Sequence, residues 1–280
     1  MWTKKGLIFN SNNNHNWMNN GAMIPCPIHL NNKTIRVFLT FLDKEGIGRT
    51  GYVDLKKDNL SEVINISKAP VFDIGKPGTF DENGSLTCGV LKMSDNKYHF
   101  YYAGFELGKK IRYRLLTGLC ITNEKFQIIK KYNSPILERS EDELYFRGGP
   151  FCLLEDNIVK MWYVGGSGWT IINGKSMPVY DIRYLESSDG INFDKKGEVV
   201  IKIENENEHG FGRPYIVKHK GIYKMFYSIR VKEKGYRLGY AESVDGYEWV
   251  RKDELMNLDC LLYTSPSPRD RTRSRMPSSA

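Results

Sequence analysis

The sequence predicts an all-β protein, a five-bladed β-propeller of which about four blades are present. An aromatic strand recurs about every 60 residues, with copies at 34–39, 97–102, 159–164 and 223–228. A short apolar segment and a turn precede each copy, and a Ser-Asp-Gly corner follows the last two. A fixed period of this length is typical of repeated supersecondary units. Three strands closed by a fourth, more polar strand make one propeller blade.

The first repeat opens with an asparagine-rich loop that contains Trp17 and ends at Asn20. The starts of inner strands line the central channel of a propeller, where ligands bind. Side-chain amides both donate and accept hydrogen bonds, and an indole face stacks on the apolar face of a sugar ring. Asn20 is therefore a candidate substrate-binding residue. The alternative is that residues 10–20 form only a polar loop.

Each of the next three repeats presents an acid shortly before its first strand. Asp81 lies in the turn 77–84, while Glu143 and Glu208 precede Pro150 and Pro214 at matching distances. Equivalent offsets in successive blades come to the same end of the channel, so we expect the three acids to converge on one pocket. Glycosidic chemistry needs one acid of raised pKa and one ionised carboxylate. These acids are the candidate catalytic residues, although an aspartate in a turn often bonds its own backbone.

Cationic and aromatic side chains near the acids are candidates for binding the substrate. Arg147, Arg213 and His209 could lower the pKa of a carboxylate or hold an anionic group, and we expect Arg213 to pair with at least one acid. Trp169 and Tyr180 are candidate platforms for a sugar ring. For each of them a structural role is the alternative. The repeated residues 161–163 and 225–227 are predicted to form the core between blades.

The order of these motifs resembles a known group of proteins. Residues 36–38, 78–84, 135–139, 150–151, 161–163, 180–183, 212–214, 225–230 and 236–246 are similar to bacterial five-bladed propellers of the glycosyl hydrolase 32/43-like superfamily. The nearest group is an uncharacterised one linked to polysaccharide and lipopolysaccharide biosynthesis. The resemblance covers nearly all of residues 1–253.

The resemblance implies carboxylate chemistry but also shows a departure from it. Family 43 enzymes place an Asp in blade one, an Asp in blade two and a Glu in blade three, and Asp81 and Glu143 match the last two. Blade one offers only Asn19 and Asn20. Residues 17–20 also resemble the Trp-Met-Asn-Asp start of the fructosidases, with Asn20 in the place of the nucleophile. That replacement speaks against ordinary retaining hydrolysis.

Three functions follow from these observations. The leading one is a glycoside hydrolase-like enzyme that acts on a bacterial glycan through Asp81, Glu143 and Glu208. A glycoside phosphorylase, with Arg213, Arg147 and His209 holding phosphate, is a related alternative. The third is a non-catalytic sugar-binding propeller that serves glycan assembly. The expected partner is a glycan or sugar conjugate, and no metal, cofactor or nucleic acid is predicted.

Composition bears on membrane insertion, cellular location and nucleic-acid binding. No apolar run approaches the roughly 20 residues that a membrane-spanning helix needs. The five cysteines have no regular spacing, which indicates buried reduced thiols and a cytoplasmic protein. The formal net charge of +8 includes the basic residues of the last 21 positions, so it does not predict binding to nucleic acid.

The end of the chain differs from the rest. Residues 260–280 are rich in Ser, Pro and Arg, and their back-translation resembles a transposon-type sequencing adapter. We therefore expect a non-native, disordered tail at 260–280 and a propeller domain at 1–259. Four repeats fill that domain, whereas a closed propeller must join its last blade to its first to avoid unpaired edges. The expectation is thus that the last blade is missing.

Overall fold

The computed structural model describes residues 6–11, 15–194, 196–232 and 236–256, so the predicted tail 260–280 lies outside it. Sixteen strands and one short 3₁₀ helix, Asp253–Met256, are present in this part of the chain. The strands are β1 (Asn20–His29), β2 (Thr34–Leu42), β3 (Gly48–Lys56), β4 (Asn59–Ile66), β5 (Ser85–Lys92), β6 (Tyr98–Leu107), β7 (Tyr113–Thr122), β8 (Ile128–Lys131), β9 (Phe146–Glu155), β10 (Ile158–Ile172), β11 (Lys175–Ser187), β12 (Glu198–Ile201), β13 (Glu208–His219), β14 (Ile222–Val231), β15 (Arg237–Ser243) and β16 (Val250–Arg251). The all-β prediction is confirmed.

The strands form four antiparallel groups of four in chain order, which we call groups one to four. Short parallel contacts link the later groups: β7 pairs with β9 near Phe146, and β11 pairs with β13 through Tyr180 and Gly210. Pro25, Thr87, Pro150 and Pro214 each lie in the first strand of a group, as predicted. The total of five blades stays a prediction.

The hydrophobic core lies between successive groups. Phe38 and Phe100 join group one to group two, Tyr101 and Met161 join group two to group three, and group three meets group four at a further cluster. Residues 161–163 and Met225 are fully buried and Tyr227 is 1% exposed, which confirms their predicted core role, whereas Phe226 is only half-buried. Burying one such side chain stabilises the fold by roughly 1.5–3 kcal/mol.

The first strands of the four groups lie side by side. β1 contacts β5, β5 contacts β9 and β9 contacts β13. Each strand is irregular near its middle, and Ile24, Gly149 and Arg213 take positive φ angles of 57°, 64° and 53° directly before a proline. Arg213 Nη2 donates to the carbonyl of Pro25 at 2.8 Å, so β13 also contacts β1. The first strands therefore surround a common axis.

Four cysteines, Cys26, Cys88, Cys120 and Cys152, are free and buried, as predicted for reduced thiols. Cys260 lies outside the described residues. A search of the described part of the chain finds no helix that is both long and apolar enough to cross a bilayer.

Candidate functional site

Asp81 is fully buried inside group two. Its Oδ2 accepts hydrogen bonds from the Tyr102 hydroxyl at 3.0 Å and from Lys131 Nζ at 2.6 Å, while its Oδ1 accepts from Thr79 Oγ1 at 3.0 Å. Tyr102 lies on β6 and Lys131 at the end of β8. The carboxylate therefore has a positive partner and three donors within its own group.

Glu143 has a similar environment in group three. It is fully buried, its Oε1 accepts from the Tyr163 hydroxyl at 2.7 Å, and Arg147 Nε and Arg183 Nη1 lie 3.1 and 3.6 Å from its oxygens. Burial raises the pKa of Glu143 above its ordinary value, and Arg147, Tyr163 and Arg183 oppose that shift only in part. A Cβ atom on Gly165 would lie 2.5 Å from Glu143 Oε1, so the glycine makes room for the carboxylate.

Glu208 pairs with Arg251 of group four through two bonds, at 2.6 and 3.1 Å. Arg251 also pairs with Asp253, which accepts from the Tyr227 hydroxyl at 2.7 Å. Tyr227 occupies the place in β14 that Tyr102 has in β6 and Tyr163 in β10. An acid, a second-strand tyrosine and a cation thus recur in three groups.

The three acids predicted to be catalytic share no partner. Among the described residues, no hydrogen bond or ion pair joins Asp81, Glu143 and Glu208 to one another, and Arg213 forms no ion pair with any of them. The ion pair expected for Arg213 is therefore not formed. Its guanidinium instead contacts Pro25 across the axis.

Arg147 and Asn20, two predicted binding residues, have different surroundings. Arg147 is buried, and its Nη1 and Nη2 donate to the carbonyls of Glu138 and Asp194 at 2.7 and 3.3 Å. These contacts favour a structural role for its guanidinium. Asn20 is exposed at the start of β1, where it pairs with Leu42.

Trp169 and Tyr180 are brought together by the hairpin of β10 and β11. These strands have 15 and 13 residues and are the longest described strands. The Trp169 and Tyr180 rings lie 5.5 and 5.3 Å from the ring of Phe146, and Tyr113 and Tyr145 pack against Trp169 at 5.6 and 6.4 Å. We call these five residues the aromatic cluster. The Trp169 indole Nε1 is buried without a hydrogen-bond partner.

His209 and Arg230 lie beside the aromatic cluster. His209 is buried, and its Nδ1 is 3.1 Å from the carbonyl of Pro178. Burial lowers the pKa of His209, and the charge of Arg230 lowers it further. The Arg230 guanidinium lies 5.4 Å from the Tyr180 ring centre and 4.8 Å from that of Tyr236.

Arg230 was missed as a site residue by the sequence reasoning. An arginine in the strand 222–231 has the same sequence signature whether it faces water or a neighbouring group. Its place is set by strand pairing, which the sequence does not show: Arg230 pairs with Gly210 of β13, and Gly210 pairs with Tyr180 of β11.

A cleft of about 440 Å³ opens next to the aromatic cluster. It is lined by residues 107–111 of the loop between β6 and β7, together with Arg114 and Tyr145. Lys109 and Lys110 in this loop are exposed. Arg112 Nη1 donates to the carbonyl of Ser176 at 3.2 Å and so ties the loop to the β10–β11 hairpin.

Within the aromatic cluster, Tyr113, Phe146 and Tyr180 are buried, whereas Trp169 and Tyr145 are partly exposed. The partly exposed rings and the cleft offer aromatic faces, nitrogen donors and positive charge. Aromatic faces suit the apolar face of a sugar ring, and the donors suit its oxygens. A search of the described residues finds no group of three or more His, Cys, Asp or Glu side chains that could hold a metal ion.

The chain matches no family model. It is 25% identical over 255 residues to the uncharacterized protein Rv1502 of Mycobacterium tuberculosis strain H37Rv, a match that covers 90% of this chain and 84% of the relative. It is 24% identical, with the same coverage, to the uncharacterized protein MT1551 of Mycobacterium tuberculosis strain CDC 1551. Both relatives are uncharacterized, so these matches do not indicate a function.

Solved structures share the fold. A thermostable family-43 glycoside hydrolase superposes with a TM-score of 0.62 at 20% identity, covering 82% of this chain and 72% of that one. An endo-arabinase from Bacteroides thetaiotaomicron superposes with a TM-score of 0.60 at 12% identity, covering 85% of this chain and 82% of that one. A variant of the GH32 β-fructofuranosidase BmSUC1 from Bombyx mori, in complex with sucrose, superposes with a TM-score of 0.60 at 15% identity. The match covers 82% of this chain and 48% of that one. The protein therefore has the β-propeller fold of glycoside hydrolases of these families.

Proposed function

We propose that this protein is a carbohydrate-binding β-propeller that recognises a glycan at the aromatic cluster. The observation that carries the proposal is the placement of Trp169 and Tyr180 around Phe146, with an unpartnered indole Nε1 and His209 close by. Aromatic faces and free donors at one place bind a sugar ring and its hydroxyls. Proteins of the same fold that act on sugars support the choice of ligand.

The surroundings of the acids favour binding over cleavage. Hydrolysis needs two carboxyl groups on either side of the scissile bond, about 5 to 9.5 Å apart and in reach of the substrate. Asp81 and Glu143 are fully buried, and Asp81 and Glu208 are paired with Lys131 and Arg251. A carboxylate that forms such contacts stabilises the folded structure.

A glycan array probed with the protein tests this proposal. We expect binding to a defined set of oligosaccharides, and we expect Trp169→Ala to reduce the affinity about 5-fold because a stacked indole face contributes about 1 kcal/mol. Ile171→Ala is the matched control, since Ile171 lies on the same strand but is 69% exposed. An unchanged signal for Trp169→Ala would contradict the proposal.

A glycoside hydrolase is the second candidate, and one observation favours it. Asp181 Oδ1 lies 2.8 Å from Arg183 Nε, and the same guanidinium lies 3.6 Å from Glu143. Burial raises the pKa of both carboxyl groups, as acid catalysis requires. Turnover of a bound glycan that is lost in both Glu143→Gln and Asp181→Asn would support this candidate.

The finer features expected from the sequence are part of the proposal. They are five blades, a bacterial glycan or sugar conjugate as partner, a role in polysaccharide assembly and a cytoplasmic location. The buried free thiols support the last of these, because reduced cysteines are typical of the cytoplasm.

A further inference from the structure

Arg230 lies on β14 opposite Gly210 of β13. The absence of a side chain at Gly210 leaves room for the Tyr180 ring, since a Cβ there would lie 3.0 Å from it. The Arg230 guanidinium lies over the rings of both Tyr180 and Tyr236. Its Nε is enclosed and has no hydrogen-bond partner.

No carboxylate neutralises Arg230 within residues 6–11, 15–194, 196–232 and 236–256. The acids on strands around it have other partners, because Asp181 pairs with Arg183, Glu208 with Arg251 and Glu106 with Arg114. A charge withdrawn from water is costly unless an opposite charge or hydrogen bonds compensate it. Arg230 has aromatic faces and a hydrogen bond with the Tyr113 side chain, but no anion.

Further donors and positive charges lie around the aromatic cluster, which Arg230 contacts through Tyr180. The Trp169 Nε1 has no acceptor, and Lys109 and Lys110 line the cleft that Tyr145 shares with the aromatic cluster. Arg114 lines the same cleft, and its Nε is also buried without a partner. An excess of donors at one place suits an oxyanion.

We infer that the glycan is acidic and that Arg230 binds its charged group, a carboxylate or a phosphate, while Trp169 and Tyr180 hold the sugar ring. A planar guanidinium donates two parallel hydrogen bonds to either oxyanion. This inference rests on the proposed function and specifies its ligand. The carboxylate would come from a uronic acid and the phosphate from a phosphorylated sugar.

The test uses sets of three matched oligosaccharides: a neutral one, its uronic-acid counterpart and its phosphorylated counterpart. We expect the protein to bind one acidic member about 10-fold or more tighter than the neutral one, because a hydrogen bond to a charged group contributes 1.5–3 kcal/mol. The acidic member that binds tighter identifies the anion. Arg230→Gln should abolish the preference for the acidic member over the neutral one.

Lys224→Gln is the matched control, because Lys224 lies on the same strand and the substitution removes the same charge. Equal affinity for neutral and acidic members would overturn the inference and leave the proposed function standing. Absence of binding to any oligosaccharide would instead contradict the proposed function itself. Should Arg230→Gln fail to fold, the preference of the unaltered protein and its weakening with added salt still decide the question.

Discussion

Asp81 is held by three donors, and one of them, Lys131, is positively charged. The Asp81 side chain is 1% exposed and that of Lys131 17%. Removing one member of a buried ion pair leaves the other charge uncompensated, which costs more than the pair itself contributes. At the scale of single residues, we therefore expect a substitution of this ion pair to act on stability.

We expect Lys131→Met to lower the free energy of unfolding by about 3 kcal/mol, measured by urea denaturation. The double substitution Asp81→Asn with Lys131→Met should recover part of the loss, because no buried charge then remains. Lys97→Ala breaks an exposed pair with Asp95 and should leave the denaturation midpoint nearly unchanged. Equal stability of Lys131→Met and the unaltered protein would show that Asp81 does not depend on this partner.

Arg213 adopts a φ angle of 53°, a conformation that costs a residue with a Cβ roughly 1–2 kcal/mol. Both Arg213→Gly and Arg213→Ala lose the bond to Pro25, but only the glycine variant is relieved of the backbone strain. We expect the glycine variant to be about 1 kcal/mol more stable than the alanine variant in thermal or urea unfolding. The reverse order would contradict a strained backbone at this position.

At the scale of elements, the corners that end the third strands of groups three and four each bond to the preceding group. Ser187 and Asp189 fold the corner of group three, and the carbonyl of Gly190 accepts from the Tyr101 hydroxyl of group two at 2.8 Å. In group four, the carbonyl of Gly246 accepts from Trp162 Nε1 of group three at 2.9 Å. The Ser-Asp-Gly motif thus shapes a turn and also positions an acceptor for the preceding group.

Glu155 provides a second link between groups three and four. It lies at the end of β9, and Lys160, Lys218 and Tyr223 all bond to it. Burial raises the pKa of Glu155, but the bonds from Lys218, Tyr223 and Lys160 outweigh burial and lower the pKa to about 2. A carboxylate with a lowered pKa stabilises the folded state above its unfolded pKa, and this contribution is lost as the pH falls toward 2.

We therefore expect the unaltered protein to lose about 1 kcal/mol more unfolding free energy than Glu155→Gln when the pH falls from about 5 to 2, after allowance for screening by water. Urea denaturation at several pH values measures the difference. Glu62→Gln, which removes an exposed acid on β4, should follow the unaltered protein. If the unfolding free energies of the unaltered protein and Glu155→Gln fell equally with pH, the contacts of Glu155 would contribute nothing to stability.

At the scale of the whole molecule, the repeat could be predicted from the sequence because its aromatic strands are core, and the core tolerates little change in hydrophobicity. The pairing of the acids could not be predicted from offsets, since an offset places a residue but does not orient its side chain. A signal was nevertheless present. The acid precedes its tyrosine by 21 residues in group two and by 20 in group three.

The proposed binding region includes residues that the sequence indicated and one that it did not. Trp169 and Tyr180 could be singled out because they are large aromatics outside the repeated segment 159–164, although the structure packs both against the core residue Phe146 and buries Tyr180. Arg230 continues the strand that contains the repeated segment 223–228, so the sequence did not set it apart. The proposed role of Arg230 depends on the side chains that the neighbouring strands place around it. Contacts between groups, such as that of Tyr180 with Gly210, appear only in three dimensions.

The central claim is that the protein binds a glycan through the aromatic cluster without cleaving it. The most direct measurement incubates the protein with the tightest-binding array glycan and follows both complex formation and the release of new reducing ends. We expect saturable binding, no release above the buffer blank, and unchanged binding by Glu143→Gln in samples that retain the folded far-UV circular dichroism spectrum. Release of reducing ends by the unaltered protein, abolished in a folded Glu143→Gln variant, would contradict the claim and establish hydrolysis.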